Sequence, residues 1–374
     1  MAGQPPRIMH VTKSLGLGGT EKAMQLFVSR LNRERFTPAV FSFKDGERGS
    51  LLRAEGIPVF VGSDLLSALG SFKPDIAHIH RAGWYEPSLL RTLRLARVPR
   101  VVETNVFGRF DPSPAANRID RHLFVSHFCL ARYALMNDVP QTSPKCRVLY
   151  NPVDTDFFAG HPWTRDFSAK CAGRLSRPDP GKWSRLALNI LPVLAEAVPG
   201  FTYRVIGATP EAREYVRAKG LEDHVEFCDP AATDKELAEF FNRICVLAHA
   251  NDAGESFGLA IAEAMAAGLP VVTHPSVGLK DNAQLELVEH GRTGFVATGT
   301  EDYAKAVAWL LNNPDKAQAM GEAGRKKAQT LFRVQTLTRN LEDLYLELLG
   351  THPAHETEQR RAPVLDLHPG NPAL

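Results

Sequence analysis

Between Asn251 and Val272 the chain reads NDAGESFGLAIAEAMAAGLPVV, and two carboxylates in it, Glu255 and Glu263, are spaced for chemistry. A loop containing Gly254 leads into an Ala-rich helix, Gly268 stands where a C-terminal cap belongs, and Pro270-Val271-Val272 starts a strand. At ~1.5 Å of rise per residue the carboxylates lie roughly 12 Å apart along the axis, a span that suits the two ends of a nucleotide sugar. Glu263 is the one charge between Phe257 and Val272. A carboxylate in so apolar a helix needs donors, which ribose hydroxyls or a structural salt bridge would supply. A second segment, Gly173 to Trp183, carries Arg174 and Lys182 just past the end of a strand, where ligands of doubly wound folds bind. A planar fork and a point charge make a sensible pair for a diphosphate, and two solvated surface cations are the plainer alternative. A third segment, Lys13 to Glu21, has glycines at 16, 18 and 19. It fits neither G-x-G-x-x-G nor a P-loop, and reads equally as a tight turn or as backbone N–H groups of Gly18 and Gly19 offered to a phosphate.

The elements that must position these residues alternate along the whole chain. Ile8 to Val11, Ala39 to Phe43, Val59 to Val61, Ile76 to His80 and Val101 to Thr104 read as strands, separated by amphipathic helical patterns. A second series has strands at Lys170 to Ala172, Tyr203 to Ile206, Val225 to Cys228, Ile244 to Ala248, Pro270 to Thr273 and Gly294 to Ala297. The aperiodic stretch Asn151 to Ser168 reads as the linker. The expectation is α/β with two Rossmann-like parallel-sheet domains facing a central cleft: residues 1–158, residues 159–335, a terminal helix over 336–350 that packs back toward the first domain, and a disordered tail over 351–374.

Composition is ordinary for a soluble globular protein. The 374 residues exceed one core at ~150 residues per domain. With 44 Lys plus Arg against 42 Asp plus Glu, a net +2, no global field would hold nucleic acid. Five cysteines without a C-x-x-C pair read as reduced. No signal-peptide pattern precedes Arg7 and no uncharged run is long enough to span a bilayer, so the expected location is cytoplasmic, extending to the periphery of the inner membrane surface.

Taken together in order, the Gly18-Gly19 loop, Asp75-Ile76-Ala77-His78-Ile79-His80, the Ser126 segment, Asn151-Pro152-Val153-Asp154 with Phe157, Gly173-Arg174-Leu175 with Lys182, and the Glu255 to Glu263 segment resemble the GT-B-fold retaining glycosyltransferases of family 4, the glycosyl transferases group 1. The resemblance covers roughly Arg7 to Leu349. It implies a donor, a UDP- or GDP-sugar first, bound mainly by the C-terminal domain, and no other cofactor. By that resemblance Arg174 and Lys182 hold the diphosphate, assisted by backbone N–H groups at Gly18-Gly19 and at Phe257, Gly258 and Leu259. Glu263 accepts from the ribose, Glu286 stands near the nucleotide, and Glu255 holds hydroxyls of the transferred sugar. Retention of configuration is implied by the family alone, and so is a metal-independent step; Asp154-Thr155-Asp156, in the linker, is read as no metal site. Many members carry a histidine after the fifth strand, where this chain has Asn105. His78 and His80 alternate on a strand in this reading, one toward the core and the other able to reach the cleft at its end, with a packed or solvated histidine as the plainer account.

The acceptor, a saccharide or a lipid-linked saccharide of a cell-surface glycan, lipopolysaccharide or glycolipid, falls to the N-terminal domain. Arg91, Arg94 and Arg97 recur among leucines, a pattern that suits either anionic membrane or a solvated helix face. Two alternatives keep the fold: a nucleotide-sugar epimerase or hydrolase, and a non-catalytic partner subunit. A nicotinamide dehydrogenase is disfavoured by the glycine spacing and by Phe43-Lys44 where an acidic residue belongs.

Overall fold

The computed structural model describes residues 4–351, and the tail expected to be disordered lies, beyond Thr351, outside the described residues. The chain forms two compact units, one of residues up to Pro152 together with those from Val334, the other Val153–Arg333. The break falls at Val153 rather than after residue 158, because Val153 bridges to Arg333 and donates its N–H to the Phe332 carbonyl. Most of the expected linker therefore belongs to the second unit.

The first unit is a parallel sheet of β1 (Arg7–Ser14), β2 (Thr37–Lys44), β3 (Val59–Val61), β4 (Ile76–Arg81), β5 (Arg100–Asn105), β6 (Arg121–Phe124) and β7 (Cys146–Val148), ordered β3-β2-β1-β4-β5-β6-β7. Successive side chains of a strand alternate between faces. Met9, Val11, Ala77 and Ile79 pack with Leu65, Leu69, Leu90 and Leu93 on one face. Ile8 and Ile76 pack with Phe27, Leu341 and Tyr345 on the other, which seats the terminal helix Val334–Leu349 in this unit. β6 and β7 were not foreseen. One begins with Arg121-His122 and the other has three residues, so neither shows the apolar run by which a buried strand is recognised.

The alternation also corrects the reading of the histidines. His78 and His80 are two apart and share a face, stacking at 4.4 Å, with His10 beside them. Thr104 Oγ1, His78, the Tyr345 hydroxyl, His10 and His80 form one hydrogen-bonded chain, with contacts of 2.8, 2.6, 3.3 and 3.0 Å. The three imidazoles are close enough to hold a metal ion, their ligand atoms lying within 4.8 Å of one another. Yet both ring nitrogens of His10 and of His78 have partners in the chain, so the cluster is accounted for as a neutral polar chain. Burial lowers all three pKa values, that of His80 to about 3.

The second unit is a parallel sheet of β8 (Cys171–Leu175), β9 (Thr202–Ile206), β10 (Val225–Cys228), β11 (Val246–Ala248), β12 (Val271–Thr273) and β13 (Gly294–Val296), ordered β10-β9-β8-β11-β12-β13. β8, β11 and β12 are adjacent, so the loops after them share one edge of the sheet. The five cysteines are free thiols, as expected.

The histidine chain carries a stability prediction. Unfolded histidines bind protons below pH 6.5, whereas His10, His78 and His80 resist protonation in the folded unit. Stability of the first unit should therefore fall as pH drops below that value, by up to about 1.4 kcal/mol per pH unit for each group. Calorimetry from neutrality downward should show the loss, and His80→Gln should reduce its slope.

Candidate active site

The site is built from three loops at the carboxyl ends of β8, β11 and β12. After β11 the chain passes through His249, Ala250 and Asn251 to Gly254 and Glu255, then enters the helix Leu259–Ala266 through Gly258. Gly254 and Gly258 both have positive φ, at 70° and 95°, and a Cβ on Gly254 would overlap the Asp281 carbonyl oxygen, so this path requires glycine. At its far end the helix is held by Arg165 and Arg325, which donate to the Ala267 carbonyl; Arg165 also reaches Gly268. Burial pushes the Arg165 pKa down to about 10, with Arg325 beside it. The helix is thereby fixed at both ends.

Glu255 is the hub. Its Oε1 accepts from Asn251 Nδ2 at 2.8 Å and His249 Nε2 at 3.2 Å, and Lys182 Nζ lies 3.3 Å from Oε2. Its backbone N–H donates to Gln284 Oε1, and Gln284 Nε2 in turn donates to the His274 carbonyl. Burial alone would raise the Glu255 carboxyl, but the His249 hydrogen bond and charge, Lys182 and Asn251 outweigh it and hold the group at about 2. The side chain keeps 16% exposure and that of Lys182 keeps 29%, enough for both to meet a ligand.

Arg174 stands differently from the expectation that it lies beyond its strand. β8 runs through Leu175, which pairs with Ile206, so Arg174 is a strand residue with no exposed surface. Its Nη1 donates to the Ala250 carbonyl at 2.6 Å and its Nη2 to the Lys182 carbonyl at 2.5 Å, with the guanidinium over the Trp183 ring at 4.2 Å. Burial lowers its pKa, opposed by Tyr203, Tyr303 and Glu255. In this geometry Arg174 joins the loop of Lys182 to the loop of Glu255 and is itself shielded.

The other expected residues are spread more widely. Phe257 is buried against Phe332, and Gly258 and Leu259 begin the helix. Glu263 is 5% exposed within that helix. Glu286 is half-buried on the short helix Gln284–Leu287, its carbonyl accepting from Lys327. Gly18 and Gly19 lie in the first unit at the start of the helix Gly19–Arg30, where Glu21 folds against Gly18 and accepts from Ser14 Oγ at 2.7 Å. Asp154 caps a helix and Asp156 pairs with Arg333 at 2.8 Å. Asn105 braces the turn after β5, donating to the Arg109 carbonyl and accepting from the Arg109 N–H.

His249, Asn251, His274 and Gln284 were not singled out from sequence. The usable signal was position: a polar residue directly beyond a buried strand, such as His249 after Val246–Ala248, sits at the ligand edge of the sheet.

The first unit holds a cavity of about 590 Å³ at the carboxyl ends of β1 and β4, where its own strand order reverses. Lys13, Asp64, His80, Arg81, Glu86 and Ser88 supply polar lining, and Lys13 pairs with Glu86 at 2.6 Å. Beneath it Arg81 is buried between Glu103 and Asp111, at 2.6 and 2.8 Å. Burial would lower its pKa, but the two carboxylates raise it.

Residues 168–313 match the family model described as glycosyl transferases group 1. Across a longer stretch, the chain is 32% identical over 240 residues to a GDP-mannose-dependent alpha-(1-6)-phosphatidylinositol monomannoside mannosyltransferase of Mycobacterium tuberculosis, covering 59% of this chain and 60% of that protein. The Mycolicibacterium smegmatis protein of the same name is 29% identical over 287 residues, covering 71% and 68%. The chain thus spans about three fifths of the length of the M. tuberculosis relative. Among solved structures, Anabaena Alr3699/HepE in complex with UDP and glucose superposes with a TM-score of 0.73 at 21% identity, covering 91% of this chain and all of that one. A glycosyltransferase of Rickettsia africae superposes at 0.76 with 16% identity, covering 94% and 100%. These likenesses establish the fold, GT-B, and Arg174, Lys182, Glu255, Glu263 and Glu286 all fall within the stretch matched by the family model.

The depressed Glu255 carboxyl yields a prediction. Its folded value of about 2 lies below the ordinary 4.5, so its contribution to stability is whole above pH 4.5 and drains away as pH falls toward 2. Glu255→Gln should flatten that part of the acid limb in thermal denaturation, leaving the neutral plateau parallel to wild type.

Proposed function

We propose that the protein is a glycosyltransferase that moves a sugar from a nucleoside diphosphate to a hydroxyl acceptor. The observation that carries the reading is the pair Lys182–Glu255, an ammonium 3.3 Å from a fixed carboxylate, set before the helix Leu259–Ala266 in the stretch matched by the glycosyl transferases group 1 family model. Departure of a nucleoside diphosphate develops negative charge on phosphate oxygens and positive charge on the sugar. Lys182 and the N–H groups at Phe257, Gly258 and Leu259 would stabilise the first, and Glu255 would hold the sugar through its hydroxyls beside the second. Arg174 would act by joining the two loops and by its buried charge, Glu263 would accept from the ribose, and Glu286 would flank the nucleotide. These charges come from the chain itself, so the proposed step uses no metal ion. Configuration at the sugar would be retained, with the leaving phosphate taking the acceptor proton.

For the donor, GDP-mannose comes first in this reading, ahead of UDP-sugars, supported by the 32% identical relative named for GDP-mannose. The acceptor would be a saccharide or glycolipid, its head group held in the cavity lined by Lys13, His80 and Glu86. Arg91, Arg94 and Arg97 are exposed along the helix Pro87–Leu95 and just past it, next to Leu95 at 72% exposure, which supports a peripheral, salt-sensitive contact with anionic membrane.

Thermal stabilisation across GDP, UDP, ADP and dTDP tests the donor site. GDP should raise the melting temperature, Lys182→Ala should weaken its binding about 10- to 100-fold, and Glu255→Ala should lower turnover about 100-fold with GDP affinity within about threefold. Sugar release without any acceptor would favour a hydrolase, and no shift with any nucleotide would favour a non-catalytic subunit. In a separate measurement, anionic vesicles should co-sediment the protein at low salt, and replacing Arg91, Arg94 and Arg97 by Glu should cut that binding by more than about 100-fold. Unchanged sedimentation would remove the membrane contact.

A further inference from the structure

His249 follows β11, and its backbone N–H donates to the Val272 carbonyl at 2.8 Å, tying it to β12. Its side chain is 5% exposed, with Nε2 3.2 Å from Glu255 Oε1. An ionised carboxylate only accepts hydrogen bonds, so Nε2 must carry the hydrogen. Whether Nδ1 is then a bare acceptor or an N–H donor, that atom is buried without a partner among the described residues. A histidine present only to fill space would gain by satisfying Nδ1 or by being apolar. The unsatisfied nitrogen is the cost of holding the other one against Glu255.

We infer that His249 is a positioning residue of the transfer step: with Asn251 it holds Oε1 from two directions, fixing the carboxylate plane so that Glu255 is aligned on the sugar beside Lys182. The inference rests on the reading of Glu255 as the sugar-holding carboxylate. Lys182, on a partly exposed and flexible stem, reaches both oxygens at 3.3 to 3.4 Å; Asn251 and His249 both donate to Oε1, from residues two apart, and restrict rotation about the last bond further. The loop carrying Asn251 is anchored separately, its N–H donating to His274 Nε2 at 3.0 Å. His249 thus adds a constraint from the rigid strand end.

The test uses steady-state release of GDP from GDP-mannose with a phosphatidylinositol mannoside as the acceptor probe, the acceptor-free rate subtracted and GDP affinity measured alongside. His249→Leu should lower kcat about 10- to 100-fold with GDP affinity within about threefold. His249→Gln, whose amide nitrogen takes the place of Nε2, should regain kcat to within about threefold of wild type. His249→Asn, whose amide nitrogen takes the place of Nδ1, should behave like His249→Leu. In a Glu255→Gln background, His249→Leu should cost little more, because the residues act as one unit. Wild-type kcat in His249→Leu beside an impaired Glu255→Gln overturns the inference alone, as does full additivity of the pair. Wild-type kcat in Glu255→Gln overturns the reading on which it rests. Should the leucine variant fail to fold, nitrogen NMR of the histidine-labelled wild-type protein, with the 249 signal assigned through His249→Gln, decides independently of turnover. A ring protonated at Nε2 supports the inference, and one protonated only at Nδ1 overturns it.

Discussion

A carboxylate taken largely out of water stays ionised only where donors replace its hydration, and Glu255 does so beyond the end of β11 with His249, Asn251 and Lys182 around it. Much of the local architecture follows from supplying those donors. Gly254 and Gly258 take backbone conformations closed to other residues so that the chain can turn between Asn251 and the helix. Gln284 comes from the loop after β12 to accept the Glu255 N–H, and Arg174 binds the carbonyls of Ala250 and Lys182 so that the third donor arrives from β8. Three neighbouring strands each contribute one part, which is why the site sits at this edge of the sheet.

The first unit meets the same constraint with different groups. Thr104, His78, Tyr345, His10 and His80 satisfy one another without charge, whereas Arg81 remains charged between Glu103 and Asp111. Neutral imidazoles avoid a desolvation cost that a cation would incur, and the arginine, which cannot shed its proton, is matched by carboxylates instead. The cavity at β1 and β4 opens beside both arrangements, with His80 and Arg81 in its wall. Its lining therefore presents a rigid neutral ring and a fully compensated cation.

Arg174 shows how a residue's chemistry depends on a boundary of a few residues. A strand ending at Ala172 would leave the guanidinium in a loop and free to meet an anion, while the observed pairing of Leu175 with Ile206 carries it into the interior. Strand ends are set by the pairing partner, and β9 is far along the chain. Asn105 behaves similarly: it is the last residue of β5 rather than part of the loop beyond it, and its amide is spent on the Arg109 backbone.

Short windows of sequence determined the alternation of strands and helices, the two Rossmann-like halves, and the segment from Gly254 to Gly268, because side-chain period, glycine conformation and capping are local properties. The same windows were enough to single out Glu255, Lys182 and Glu263 as candidates for a site. Tertiary structure alone decided that Lys182 meets Glu255, that His249 and Gln284 support it, that Arg174 faces inward, and that Tyr345 closes a histidine chain begun at residue 10. Each of these depends on which strand ends lie side by side. That order, β8 next to β11 next to β12 and β1 next to β4, is settled by packing across the whole sheet rather than by neighbours in the chain.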